Sequence, residues 1–270
     1  MTDTTTNETS AAPRRYVVTG AASGIGKATK DLLESQGHRV VGVDLRGSDI
    51  DADLSTGTGR AVLVPAVTAA VGDTIDGVIA VAGVAMPTSL TVKVNYFGAI
   101  ATLEQLHPLL VRSDAPRAAV VASFSALQDN DPNLINLLRG GDEAAAVERA
   151  DTIAGNGRGD LIYASTKRAI AEWVRLASIT LEWASAGIPL NAVGPGVILT
   201  PMTEELLRTP EGREGLLAAV PMPLNGPAPA AKIAQTLAWL TDADNTHITG
   251  QVLFVDGGAD ATIRGPRVFG

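Results

Sequence analysis

Short apolar runs alternate with longer segments of helical periodicity from Arg14 onward. The apolar runs are bounded by Gly or Asp and are rich in Val and Ile, which is typical of strands buried on both faces. The predicted strands are 15–18, 39–43, 77–81, 118–122, 189–193 and 251–255, and the predicted helices are 25–36, 95–112, 163–186 and 230–241. This alternation predicts an α/β fold in which helices cover both faces of a parallel sheet.

Two stretches interrupt the alternation. Residues 128–160 contain two short helical patterns, at 132–139 and 142–153, and residues 198–229 are rich in proline with scattered Leu and Met. Long stretches of this kind in a compact domain are usually functional or disordered. Neither has the composition of a linker, so one domain is predicted over residues 14–270. Residues 1–13 carry too little apolar surface to order themselves, and a disordered tail is predicted there.

The composition narrows the range of partners. The 270-residue chain has 21 Lys and Arg against 29 Asp and Glu, a net charge of −8, and it contains no cysteine. The acidic balance disfavours binding to a phosphate backbone, so nucleic acid is not an expected partner. No apolar stretch reaches the roughly 18 residues of a membrane span, so we expect a cytoplasmic protein without membrane association. The three histidines, His38, His107 and His247, lack metal-ligand spacing, and no metal site is predicted.

Residues 19–26 carry a glycine-rich sequence, Thr-Gly-Ala-Ala-Ser-Gly-Ile-Gly, between the first predicted strand and the first predicted helix. Glycine lets the backbone approach a pyrophosphate, and the free N–H groups of the helix end face the anion. The position predicts a dinucleotide-binding loop in a Rossmann-type, doubly wound, three-layer fold. An ordinary turn is the alternative reading, because the spacing differs from the usual fingerprint. The candidate contacts are Gly20, Ser23, Gly24, Ile25 and Gly26.

An acidic residue ends the second predicted strand. Asp44 lies 18 residues after Gly26, where a carboxylate can accept hydrogen bonds from the adenosine ribose hydroxyls. Its charge would repel a 2′-phosphate, so NAD is the expected cofactor. Arg46 is a competing signal, because a guanidinium could pair with that phosphate. Asp53 and Leu54 are weaker candidates for contact with the adenine edge.

A tyrosine and a lysine lie four residues apart at the start of the third predicted helix. This spacing puts Tyr163 and Lys167 on one face of the helix. A free phenol, with a pKa near 10, is a poor base at neutral pH, but nearby positive charge stabilises the phenolate. The pair is therefore a candidate for proton transfer beside a nicotinamide. Alone, such a pair is more often two neighbours on a helix surface.

Together these residues resemble the short-chain dehydrogenase/reductase family, which shares a T-G-x-x-x-G-I-G loop, an N-A-G turn, Y-x-x-x-K and a P-G turn. The match extends from Tyr16 to Gly258. Residues 94–98 and 255–258, with the long stretch before Tyr163, are most similar to the bacterial 3α-hydroxysteroid and coniferyl alcohol dehydrogenase branch. The resemblance implies an NAD-dependent oxidoreductase that interconverts a hydrophobic secondary or aromatic alcohol and its carbonyl compound.

The resemblance also implies catalytic roles. Tyr163 corresponds to the general acid/base, and Lys167 to the residue that lowers its pKa and holds the nicotinamide ribose. Asn95 corresponds to the asparagine that supports a water chain to the lysine. Ser123 is preferred as the catalytic serine because a small residue precedes it and a larger apolar one follows it. An ungapped pairing with the hydroxysteroid enzymes would place Phe124 at the serine position, so Ser125 stays open as the alternative serine and is also a candidate substrate contact.

Further cofactor contacts and a lid follow from the same resemblance. The implied contacts are Ala82, Gly83, Pro195, Gly196, Ile198 and Thr200. Residues 198–229 correspond to a lid over the substrate, with Met202 and Leu206 as candidate substrate contacts. A helix pair packed on the body of the domain is the equal alternative for this stretch.

The resemblance also implies a homo-oligomer, and two alternative functions stay open. The family implies a homodimer or homotetramer, and an insertion at 128–160 favours the dimer. An NADP-dependent carbonyl reductase stays open because of Arg46. A noncatalytic dinucleotide-binding sensor or scaffold also stays open, because residues 80–83 read Ala-Val-Ala-Gly where the family usually has Asn-Asn-Ala-Gly.

Overall fold

The computed structural model describes residues 12–269, so residues 1–11 of the predicted tail and residue 270 lie outside the described residues. Ala12 and Pro13 are exposed and have no regular secondary structure. Within residues 12–269 the strands are β1 (Arg15–Thr19), β2 (Arg39–Asp44), β3 (Ile50–Asp51), β4 (Gly77–Ala80), β5 (Arg117–Val121), β6 (Leu190–Pro195), β7 (Ile198–Leu199), β8 (Ala228–Pro229) and β9 (Val252–Val255).

Helices connect and cover these strands. In the same range they are α1 (Gly24–Ser35), α2 (Gly57–Ala61), α3 (Leu63–Val71), α4 (Ser89–Val92), α5 (Ala99–Leu110), α6 (Pro132–Arg139), α7 (Glu143–Gly155), α8 (Asp160–Ala177), α9 (Pro201–Arg208), α10 (Pro210–Ala219), α11 (Ala230–Leu240) and α12 (Ala259–Arg264). A π-helical turn, Lys93–Gly98, joins α4 to α5, and 3₁₀ turns occupy Phe124–Leu127 and Gly265–Phe269. No helix within residues 12–269 is long and apolar enough to cross a membrane.

Seven strands form one parallel sheet in the order β3-β2-β1-β4-β5-β6-β9. One face packs on α1 and α11 through Leu33, Ile233 and Leu237, and the other packs on α3, α5 and α8. Burial on both faces explains why the central strands are runs of Val, Ile and Ala. The strand order reverses between β1 and β4, which opens a crevice at the carboxyl ends of these strands. The predicted doubly wound, three-layer fold is confirmed.

The structure contains elements that the sequence patterns missed, and it shifts the bounds of one predicted helix. The sequence patterns missed β3, because a two-residue strand is too short to show an apolar period. They also missed α2 and α3. The helix predicted at 163–186 begins at Asp160 and ends at Ala177, because the chain then turns, with the Thr180 hydroxyl bonded to the Ala177 carbonyl.

Residues 128–160 form two helices close to the predicted positions. Asp131 and Asp142 cap α6 and α7, each accepting a hydrogen bond from the backbone N–H three residues later. Arg149 of α7 donates two hydrogen bonds to the Asp131 carboxylate and so ties the helices together. Burial of Leu134 and Leu138 then packs the pair onto α8.

Candidate functional site

A cleft of about 580 Å³ lies where the carboxyl ends of the strands meet. Its wall comes from the β1–α1 loop, the ends of β2, β4, β5 and β6, one face of α8 and the start of α9. It brings together all of the predicted cofactor contacts: Gly20, Ser23, Gly24, Ile25, Gly26, Asp44, Asp53, Leu54, Ala82, Gly83, Tyr163, Lys167, Pro195, Gly196, Ile198 and Thr200.

The glycine loop fits a tightly bound anion group. Gly20 and Gly24 have φ values of +68° and +53°, which L side chains rarely adopt. A Cβ added to Gly26 would lie 2.0 Å from the Gly20 carbonyl oxygen, so the loop can turn this tightly only with glycine there. The turn brings the N-terminus of α1 to the cleft, where its free N–H groups favour a phosphate.

Asp44 joins the end of β2 to the glycine loop. Its carboxylate accepts hydrogen bonds from the backbone N–H of Ala22 (2.9 Å) and of Leu45 (2.7 Å). Asp44 lines the cleft, whereas Arg46 is exposed and does not line it. The structure therefore brings the acidic candidate, and not the basic one, to the cleft wall.

The loop after β3 is fixed by hydrogen bonds and an ion pair. Asp53 accepts hydrogen bonds from the backbone N–H and hydroxyl of Ser55, which lower the pKa of its carboxyl. The buried Arg60 guanidinium donates to the Leu54 carbonyl (2.7 Å) and makes two 2.7 Å bonds to Glu143 at the start of α7. Asp53 is thus held by Ser55, and Leu54 is held by Arg60 of α2, which is itself paired with α7.

Tyr163, Lys167 and Ser123 lie on the wall of the same cleft. Lys167 is buried, donates to the Val121 carbonyl (2.8 Å), and its ammonium lies 5.7 Å from the centre of the Tyr163 ring. Burial lowers the pKa of Lys167 to about 8. Burial also raises the pKa of the Tyr163 phenol, and the polar contact with Ser123 acts in the opposite direction. Phenolate formation therefore needs additional positive charge.

The two candidate serines differ in position. Ser123 caps the turn Phe124–Leu127, its hydroxyl oxygen accepting the Ser125 N–H at 3.1 Å, and it lines the cleft. Ser125 lies within that turn and does not line the cleft. The geometry favours Ser123 as the serine that faces a substrate.

Asn95 lies behind the cleft wall. The side chain is fully buried in the π-helical turn and bonds both backbone groups of Val84, accepting from its N–H (2.8 Å) and donating to its carbonyl (2.9 Å). A Cβ added to Gly83 would lie 3.2 Å from the Asn95 amide oxygen and 3.7 Å from the Lys167 ammonium. Asn95 therefore orders the backbone next to Lys167, and it does not line the cleft itself.

The start of the 198–229 stretch closes one side of the cleft. Thr200 caps α9 in a reciprocal arrangement with Thr203, as Pro201 at the first helical position favours. Met202 lines the cleft, whereas Leu206 is 52% exposed and does not. Five further apolar residues of the stretch pack with Phe124 and Val197: Leu207, Leu216, Leu217, Val220 and Met222. This second group packs on the body of the domain, as the alternative reading predicts.

Sequence reasoning missed part of the wall. The missed residues are Leu45, Ala52, Ser55, Val81, Val84, Leu90, Val94, Val121, Ala122, Pro201 and Thr203. Most are immediate chain neighbours of predicted contacts, and that adjacency was the available signal. Val94 opens the 94–98 motif and precedes Asn95, whereas Leu90 carries no motif, and only the fold brings it to the cleft. Among residues 12–269, no group of three or more His, Cys, Asp or Glu is placed to hold a metal ion.

The chain is similar in sequence to known dehydrogenases and reductases. A family model described as enoyl-(acyl carrier protein) reductase matches residues 145–260. A 3-alpha-hydroxysteroid dehydrogenase/carbonyl reductase from Comamonas testosteroni is 34% identical over 254 residues, which cover 92% of this chain and 97% of that protein. The coniferyl-alcohol dehydrogenase of Pseudomonas sp. strain HR199 is 27% identical over 264 residues, covering 92% of this chain and 97% of that protein.

A solved structure shows the same architecture. The crystal structure of the 3-alpha-hydroxysteroid dehydrogenase from Pseudomonas sp. B-0831 complexed with NADH matches with a TM-score of 0.83 and 38% sequence identity. The match covers 93% of this chain and 99% of that one. These similarities extend over almost the whole described chain and confirm the resemblance drawn from the motifs. The chain belongs to the short-chain dehydrogenase/reductase family of oxidoreductases.

Proposed function

We propose that the protein is an NAD-dependent oxidoreductase that interconverts a hydrophobic secondary or aromatic alcohol and its carbonyl compound. One observation carries the proposal: Ser123, Tyr163 and Lys167 share a cleft with the glycine loop and Asp44. A dinucleotide held by the loop at one end would therefore meet hydroxyl and ammonium groups at the other. Relatives named for 3-alpha-hydroxysteroids and for coniferyl alcohol support this class of substrate.

The choice of NAD rests on charge at the adenosine end. Asp44 has both carboxylate oxygens bonded to backbone N–H groups and lies on the wall of the cleft. A 2′-phosphate there would meet this carboxylate, and like charges at short range are unfavourable. The related structure that was solved with NADH supports the same choice. An NADP-dependent carbonyl reductase is the second candidate, and it requires the exposed Arg46 to turn toward the cleft.

In the proposed mechanism the side chains of the protein transfer the proton. A bound nicotinamide supplies the hydride chemistry. The Tyr163 hydroxyl moves a proton to or from the substrate oxygen, and the Ser123 hydroxyl donates a hydrogen bond to that oxygen as charge develops there. Lys167, with a pKa of about 8, is mostly protonated at neutral pH and provides positive charge beside the phenol. Asn95 orders the backbone at Val84 that borders the lysine.

The proposed substrate end of the cleft is apolar. Val84, Leu90 and Val94 form one part of the wall, and Met202 at the start of α9 forms another. Such a lining favours a hydrophobic alcohol or ketone. We propose that the start of the 198–229 stretch acts as a lid and that the remainder anchors it, since Met202 and Leu206 are 48% and 52% exposed.

Two experiments test the proposal. Thermal unfolding with NADH, with NADPH and without either should show stabilisation by NADH alone, because a ligand bound only by the native state adds about 2.7 kcal/mol at a hundredfold excess over its Kd. Stabilisation by NADPH alone would support the second candidate. No stabilisation by either would contradict dinucleotide binding.

The second experiment tests catalysis with a matched pair of variants. Tyr163→Phe should reduce hydroxysteroid- or coniferyl alcohol-dependent NAD reduction by at least about a hundredfold, the lower range for loss of a general acid/base, and should leave NADH binding intact. Tyr96→Phe removes the same atom from a buried tyrosine outside the cleft wall and should leave turnover unchanged. Normal turnover in Tyr163→Phe would refute the assignment. NADH binding without turnover in the unmodified protein would favour the sensor or scaffold.

A further inference from the structure

The segment between β4 and α4 forms part of the cleft wall although residues 81–86 have no regular secondary structure. Its backbone groups are hydrogen-bonded by buried side chains, where a strand would bond a neighbouring strand. The Thr19 hydroxyl oxygen accepts hydrogen bonds from the N–H groups of Val81 (3.0 Å) and Ala82 (3.1 Å). Further along, Asn95 bonds both backbone groups of Val84.

Thr91 holds the backbone of Met86, two residues after Val84, in the same way. Its hydroxyl accepts a hydrogen bond from the Met86 N–H (3.1 Å) and donates one to the Met86 carbonyl (2.7 Å). Thr91 and Asn95 lie four residues apart and are both fully buried. Val84 and Met86 are therefore each held by one side chain that bonds both backbone groups.

The other side of the segment contacts the helix that carries Tyr163. A Cβ added to Gly159, the residue before α8, would lie 2.6 Å from the Pro87 Cβ and 3.0 Å from the Pro87 carbonyl oxygen. The segment is therefore confined between the Thr91 side chain and the start of α8. A displacement at Met86 would pass to Val84 and Leu90, the apolar wall residues on either side of it.

We propose that Thr91 is a positioning residue for the substrate, acting through Met86 to fix the apolar wall at Val84 and Leu90. Thr91 does not line the cleft, so any effect on substrate must pass through the backbone that it holds. The inference rests on the proposed oxidoreductase function. The glycine loop and Asp44 line another part of the cleft, and the Thr91 side chain hydrogen-bonds only Met86, so dinucleotide binding should not depend on Thr91.

Two substitutions separate the hydroxyl from the shape of the side chain. Thr91→Val keeps the size and removes both hydrogen bonds, whereas Thr91→Ser keeps the hydroxyl and removes the methyl group. Three quantities are measured on the full chain: deuterium exchange of the peptide containing Met86, NADH affinity by fluorescence titration, and kcat and KM for a hydroxysteroid or coniferyl alcohol.

We expect Thr91→Val to speed exchange of the Met86 amide by about tenfold and to raise the alcohol KM by a similar factor, with NADH affinity within about twofold. Thr91→Ser should resemble the unmodified protein in all three. Unchanged exchange and KM in Thr91→Val would overturn the proposal, and so would a parallel loss of NADH affinity, which indicates general destabilisation. If Thr91→Val does not fold, Thr91→Ser decides, because a tenfold higher KM with the hydroxyl present also overturns it.

The design distinguishes failure of this inference from failure of the proposed function. If the unmodified protein oxidises none of the alcohols, the function fails, and exchange at Met86 still tests the hydrogen bonds. If the unmodified protein turns over and Thr91→Val matches it, only the positioning role fails.

Discussion

Replacing Lys167 with methionine should stabilise the folded protein while removing its activity. The ammonium is buried against the Val121 carbonyl, and burial lowers its pKa from 10.5 to about 8. A difference of about 2.5 pKa units corresponds to roughly 3 kcal/mol of penalty for burying the charged form, at about 1.36 kcal/mol per unit. Methionine has nearly the same length and carries no charge, so Lys167→Met escapes this penalty.

The lost hydrogen bond offsets part of the gain. Lys167→Met leaves the Val121 carbonyl without its donor, which costs about 1 kcal/mol. The net increase in the free energy of unfolding at pH 7 is therefore about 2 kcal/mol. For a chain of this size it corresponds to an increase in Tm on the order of 4–8 °C.

The pH dependence gives the sharper test. Because the folded-state pKa of Lys167 is below the unfolded value, the unfolded chain binds more protons between about pH 8 and pH 10.5, and the stability of the unmodified protein rises across that window. The advantage of Lys167→Met should therefore shrink from pH 8 upward and reverse near pH 10, and above about pH 10.5 only the lost hydrogen bond remains.

Urea unfolding at pH 7 and pH 10 without dinucleotide measures both quantities. Lys232→Met, a substitution of an exposed lysine on α11, is the matched control and should change stability by less than about 0.5 kcal/mol at either pH. If the free energy of unfolding of Lys167→Met at pH 7 is equal to or lower than that of the unmodified protein, the reasoning is refuted. A gain of equal size at both pH values would show that packing, and not the buried charge, is responsible.

Two further substitutions test the dinucleotide end of the cleft. Asp44→Ala should weaken NADH binding and relax the preference over NADPH by about tenfold, one charged hydrogen-bonding group being worth roughly 1.4 kcal/mol, as measured by the ratio of the two dissociation constants. An unchanged ratio would contradict the ribose role. Gly26→Ala should abolish NADH binding because its Cβ would lie 2.0 Å from the Gly20 carbonyl oxygen, whereas Gly155→Ala, with no atom within 4 Å of the added Cβ, should bind normally in the same titration.

The elements of the fold that depend on local periodicity and on motifs could be predicted from the sequence. The parallel sheet followed from Val-rich runs separated by helical patterns, and the helical pattern at 132–139 matches the observed bounds of α6. The two-residue β3 was missed because Ile50 and Asp51 pair with β2 only through the tertiary fold.

The same distinction, between features set by local sequence and features set by the tertiary fold, applies to the candidate site. Glycine spacing and the Tyr163 to Lys167 interval identified the cleft wall, since both lie within single local elements. The position of Asn95 behind the wall depends on a contact with Val84, eleven residues away, which no periodicity encodes. The raised pKa of the Tyr163 phenol was likewise unpredictable, because it arises from burial in the folded protein.

The ion pair between Arg60 and Glu143 limits how this protein can be redesigned. Arg60 of α2 is buried against the loop that carries Leu54, and its two bonds to Glu143 join α2 to α7. Exchanging residues 128–160 for the corresponding segment of a relative without this acid would leave a buried guanidinium without its counter-charge, at a cost of about 1–3 kcal/mol. A viable chimera must therefore exchange Arg60 and the α7 segment as one unit, although 83 positions separate the two residues in sequence.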